Sequence, residues 1–114
     1  MSDAIPSWVE RASAAPGVLA CGVRRADRTF LVNSCREELA EATVTQAMRD
    51  LSEVVYALQQ NRVPTEYLRW TFENGQIHCV TRPGGIIAAL LVNKEMADSP
   101  HLDQLLADFE PTPA

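Results

Sequence analysis

The sequence is short of basic charge. Its 114 residues hold 15 Asp and Glu against 10 Lys and Arg, a formal net charge of -5. A nucleic-acid groove needs a basic face that replaces counterions on phosphates, so this balance argues against nucleic acid and for proteins or small ligands as partners. Cysteine is scarce and odd in number, with three residues and no paired spacing. That usage suits reduced, buried thiols rather than a disulfide framework. No apolar run is long enough to cross a bilayer. The opening Met1-Ser2-Asp3-Ala4-Ile5-Pro6 also lacks the basic segment and apolar stretch of a secretory signal, and a cytoplasmic location is the expectation. No internal repeat or low-complexity linker divides the chain. Its length fits one domain over residues 1–109, with a solvated tail at 110–114.

Two short runs are apolar on both alternating faces: Pro16-Gly17-Val18-Leu19-Ala20-Cys21-Gly22-Val23 and Pro83-Gly84-Gly85-Ile86-Ile87-Ala88-Ala89-Leu90-Leu91-Val92. Each reads as a strand buried from two sides. A domain this small buries both faces of a sheet only by placing helices on both, which predicts a three-layer helix/sheet/helix body.

Other elements fall around these two. Ile5 to Ala14 reads as a short helix with Ile5, Trp8, Val9 and Ala12 on one side. Ala26-Asp27 turns the first strand into a second at Thr29–Asn33. Ser34 with Glu37 fits a capping box, and a loop as far as Glu41 fits equally. From Ala42 to Gln60, a stripe of Val44, Ala47, Met48, Leu51, Val54, Val55 and Leu58 predicts a long helix lying on a core. Burying one such large side chain contributes roughly 1.5–3 kcal/mol, which outweighs the weak helix propensity of the valines. Ser99-Pro100 reads as the cap and first residue of a last helix through Phe109, with Leu102, Leu105, Leu106 and Phe109 buried.

Asn74-Gly75 is the dipeptide that best tolerates a two-residue type I′ hairpin turn. With those two as the turn, Phe72 pairs with Ile77, Trp70 with Cys79 and Leu68 with Thr81. Leu68, Trp70, Phe72, Ile77 and Cys79 then share one face, and Tyr67, Arg69, Thr71 and His78 the other. The second face is polar, so this hairpin belongs toward an edge, with 66–72 as the outermost strand and the two doubly apolar strands at the centre.

The order helix, two strands, long helix, three strands, short helix resembles the Roadblock/LC7 domains, which have a profilin-like antiparallel sheet. The resemblance covers nearly the whole chain. It rests on Pro16-Gly17-Val18 opening the first strand, the long helix after the second strand, the hairpin around Asn74-Gly75, and the run Ile86 to Val92 leading into a small terminal helix. The turn Ala26-Asp27-Arg28 departs from it in having no glycine. The fold class implied is α+β, a five-stranded sheet in the order α-β-β-α-β-β-β-α. The function implied is an interaction module without catalysis, cofactor or metal. Members form dimers whose outer strands join into one sheet while the long helices pack together, and several contact small Ras-like GTPases or scaffold larger complexes. On this chain the candidate interface is Tyr67, Leu68 and Trp70 on the edge strand, with Thr45, Ser52 and Tyr56 on the long helix. The edge is either paired with a second copy or covered by its own chain, and the helix residues either join that interface or face solvent. Two other functions are compatible: a small-molecule sensor with a cavity between sheet and helix, and an acidic dimeric secretion chaperone.

Each chemical motif has a plainer structural reading. His78 and Cys79 are neighbours in a strand and point to opposite faces, so they make no dyad. Cys21 and Cys35 lack zinc spacing and read as small buried hydrophobes. Pro83-Gly84-Gly85 precedes a strand rather than a helix and is a turn, not a phosphate cradle. His101 caps or faces solvent. Arg24, Arg25 and Arg28 shield an exposed edge, and Glu37, Glu38 and Glu41 suit the positive end of the long helix.

Overall fold

The computed structural model describes residues 4–73 and 75–110. Helix α1 (Ala4–Ala14) is followed by strands β1 (Val18–Arg24) and β2 (Phe30–Ser34), then helix α2 (Glu41–Gln60). Strands β3 (Tyr67–Phe72), β4 (Gly75–Arg82) and β5 (Ile86–Asn93) lead to helix α3 (Pro100–Ala107). The five strands form one antiparallel sheet in the order β2-β1-β5-β4-β3. The doubly apolar runs are neighbours inside the sheet, and the strand bearing Trp70 is an edge, as the polarity of its faces requires.

Alternation divides the sheet into two cores. On one face, Val23, Leu90, Val92 and their neighbours pack beneath α1 and α3. The Trp8 indole donates a 2.8 Å hydrogen bond to the Leu105 carbonyl, and its ring meets Phe109 edge-on with centroids 5.1 Å apart. Arg82 donates from Nη2 to the Leu106 carbonyl and from Nε to that of Phe109, both at 3.2 Å, so a cation holds the carbonyl end of α3. On the other face, Met48, Leu51 and Val55 of α2 pack on Cys79, Ile87 and Ala89. Helices on both faces give the expected three layers.

Three sequence expectations change in detail, and the choice left open at Ser34 resolves to the loop. Each β3 residue pairs two positions earlier in β4 than expected: Phe72 pairs with Gly75, Trp70 with Ile77 and Leu68 with Cys79. Gly75 therefore belongs to β4 and opposes Asn93 of β5 rather than forming the turn. A slip of two preserves every face assignment, because side chains alternate with period two. Ser34 does not cap α2. Its hydroxyl donates to the Leu39 carbonyl inside a loop, and α2 begins after Ala40, which offers no side-chain cap. The buried stripe of α2 is also narrower than its apolar stripe, for Val44, Met48, Leu51 and Val55 are buried whereas Ala47 and Val54 are exposed. Finally, α3 ends at Ala107, with Phe109 still buried beyond it.

The first hairpin turns without glycine because Arg28 takes a left-handed conformation at φ 71°, while Asp27 accepts from both the backbone N–H and the hydroxyl of Thr29. Gly84 and Gly85 are left-handed at φ 89° and 78°, as a turn before β5 requires. Of the tail at 110–114, Glu110 is exposed and the rest lies outside the described residues.

Candidate functional site

Strand β3 pairs on one side with β4 and, among the described residues, with no strand on the other. Its sequence YLRWTF contains no proline and little that resists pairing, so a row of backbone donors and acceptors stands open. Beside this row lies apolar surface. Leu68 and Trp70 are half-buried against the α2 core, and Phe72, on the same face, is 43 % exposed.

The position of α2 explains why that surface is uncovered. Arg49 reaches toward β2, its guanidinium carbon 6.0 Å from the centre of the Phe30 ring. The opposite flank of the helix, carrying Ala47, Val54 and Leu58, therefore faces β4 and β3. Between that flank and the sheet is a cavity of about 130 Å³ bordered by Ala47, Leu51, Ile77, Ala89 and Leu91. Small residues under the helix create the space. At Gly22 a Cβ would stand 3.0 Å from Met48 Cγ, so the glycine lets Met48 descend onto the sheet.

Of the six candidate interface residues, the structure brings together Leu68 and Trp70. Tyr67 sits on the reverse face of β3, where its hydroxyl lies 3.3 Å from Asp103 Oδ1. Thr45 and Ser52 bond back to the Glu41 and Met48 carbonyls of their own helix, at 3.0 and 2.8 Å. Tyr56 is 64 % exposed. These three helix residues lie on the Arg49 side of α2. Ser52 and Tyr56 border a second cavity of about 130 Å³ with Arg24, Gln59 and Gly85.

A cluster that motif analysis did not assemble lies behind β3. His78 is fully buried, with Nε2 2.8 Å from Gln76 Oε1 and Nδ1 3.4 Å from the Tyr67 hydroxyl. Arg69 pairs with Asp98 at 3.1 Å and donates to the Tyr67 hydroxyl at 3.4 Å. The alternation of β3 and β4 put Tyr67, Arg69 and His78 on one face, but nothing local announced that Asp98 and Asp103 would close over them. Burial, and then the Arg69 charge, holds the His78 pKa below the usual imidazole value.

Of the two cysteines read as small buried hydrophobes, Cys21 is buried, whereas Cys35, just past the end of β2, is exposed. Burial pushes Cys79 up to about 12 and Cys21 up to about 11, so both stay protonated. Among the described residues, no group of three or more His, Cys, Asp or Glu is placed to hold a metal ion, and no helix is long and apolar enough to cross a membrane.

No family model matches the sequence, and no curated protein matches it. Solved structures do. A crystal structure of a Roadblock/LC7 domain from Streptomyces avermitilis superposes with a TM-score of 0.62 over 93 % of this chain and 88 % of that one, at 16 % identity. The fold is a Roadblock/LC7 fold. At that identity the likeness is one of backbone, so the Roadblock/LC7 comparison supports the element order and sheet, and the residues of this chain speak for its surface.

Proposed function

We propose that the chain is a non-catalytic adaptor of the cytoplasm that works as a homodimer. Its two copies join β3 to β3 into one continuous sheet. The seam is flanked by Trp70, Leu68 and Phe72 and by the Ala47, Val54 and Leu58 flank of α2 from each copy. The observation that supports this most is the coincidence of an open strand edge with adjoining apolar surface, since strand addition supplies backbone hydrogen bonds and the neighbouring side chains supply area. Thr45, Ser52 and Tyr56, on the other flank of α2, are then left for a further partner. Tyr67 lies along the seam but on the α3 side of the sheet.

The partner class follows from the Roadblock/LC7 resemblance: a small Ras-like GTPase, held or biased by contacts that differ between its nucleotide states. The test is capture of the host's small GTPases, each loaded with GDP or with a GTP analogue, on the immobilised full chain. Nucleotide-dependent retention supports the assignment; equal or absent retention of all of them removes it and leaves the fold untouched.

The cavity beneath α2 favours one second reading, a small-molecule sensor. At about 130 Å³ it suits only a compact apolar ligand. Native mass spectrometry of the purified protein distinguishes the two, because a sensor carries a discrete non-covalent mass.

A further inference from the structure

We propose that His78, Tyr67 and Asp103 form a proton-linked relay that ties β3 to α3 when His78 is protonated and loosens that tie when it is neutral. The relay follows from one hydrogen having two acceptors. His78 Nε2 faces the Gln76 side-chain oxygen at 2.8 Å, and an amide oxygen only accepts, so Nε2 keeps its hydrogen in both charge states. The proton that comes and goes is therefore the one on Nδ1.

The Tyr67 hydroxyl stands between two bases, 3.4 Å from His78 Nδ1 and 3.3 Å from Asp103 Oδ1. With Nδ1 bare, the single hydroxyl hydrogen is shared between the ring and the carboxylate and serves only one of them at a time. When Nδ1 takes a proton from solvent it becomes a donor to the Tyr67 oxygen. The hydroxyl hydrogen then turns wholly to Asp103, closing an unbroken chain from β4 through β3 to α3. Arg69 Nη2, 3.4 Å from the same oxygen, uses its other lone pair, so every group is satisfied in the charged state.

The charges around the ring set the range over which this operates. From β3, the Arg69 guanidinium opposes protonation. Asp98 on the segment before α3 and Asp103 on α3 lie 3.1 and 3.9 Å from Arg69 and offset it. Gln76 on β4 is neutral. Because Tyr67 and Arg69 stand on the open edge strand, the charge state of a fully buried side chain is expressed at the surface of β3. This holds whether or not the chain is a dimer.

The test is a nuclear magnetic resonance titration of the full chain, with His101→Gln assigning the two imidazoles. Neutral His78 should be the Nε2–H tautomer. Asp103→Asn should lower the His78 proton affinity about threefold or more. In a Tyr67→Phe background the same substitution should have less than half that effect, because the hydroxyl that transmits it is gone. An Nδ1–H tautomer in the unsubstituted protein overturns the relay without any variant. Equal effects of Asp103→Asn in both backgrounds, or no effect in either, also overturn it, since a direct field between His78 and Asp103 needs no hydroxyl.

Discussion

Gly75 of β4 presses on the backbone of Val92 in β5, so that a Cβ at position 75 would lie 2.2 Å from the Val92 carbonyl oxygen. Backbone cannot step aside as a flexible side chain does. The glycine is therefore required by close approach at the first residue of β4 rather than by the hairpin turn that its sequence suggests. Gly75→Ala should destabilise the domain by about 1–3 kcal/mol, read as a lower urea midpoint with the m-value unchanged. An unaltered midpoint contradicts the contact.

Trp8 ties the two outer helices together through its bond to Leu105 and its edge-on contact with Phe109. Trp8→Ala removes a fully buried ring and leaves the Leu105 carbonyl without its donor. The expected loss is about 3–5 kcal/mol. Denaturant titration followed by far-ultraviolet circular dichroism measures it, and a loss below about 1 kcal/mol would place Trp8 outside the core.

Stability should fall on the acid side of neutrality. The folded His78 pKa is depressed by burial, so in the window just below the unfolded imidazole value of about 6.5 the unfolded chain binds a proton that the folded chain does not. The unfolding free energy then drops with decreasing pH by up to about 1.4 kcal/mol per unit. The drop ends once pH falls below the folded value. His78→Gln should flatten this part of the pH profile specifically, and an unchanged slope in that variant contradicts the assignment.

The thiols should separate by burial. Cys35 is exposed, whereas Cys21 and Cys79 are buried and pushed up to about 11 and 12. An aromatic disulfide reagent at mildly alkaline pH should label one thiol per chain promptly and the other two only on unfolding. Prompt labelling of all three would mean that the α1 and α2 layers open readily.

The sequence disclosed layers more readily than lateral placement. Runs such as Ile86 to Val92 are apolar on both faces, which only a doubly covered central strand accommodates, and the polar residues opposite Trp70 sent β3 to the edge. The stripe of α2 identified the helix but not its lateral position. Ala47 and Val54 match Met48 in polarity, and only the approach of Arg49 to Phe30 shows which flank is left open. Asn74-Gly75 marked a hairpin while the close packing of Gly75 on Val92 decided its register. The cluster around His78 depends on Asp98 and Asp103, twenty or more residues away in sequence, so spacing alone carried no sign of it.

The open edge of β3 is the centre of the functional proposal, and the mass in dilute solution tests it most directly. Light scattering at micromolar concentration should give about twice the 12.6 kDa chain mass. Trp70→Lys, folded by circular dichroism, should weaken association about thirtyfold or more, because a buried tryptophan anchor contributes about 2 kcal/mol or more and an edge lysine opposes pairing. A single-chain mass for the unsubstituted protein, or a dimer indifferent to Trp70→Lys, would contradict the account.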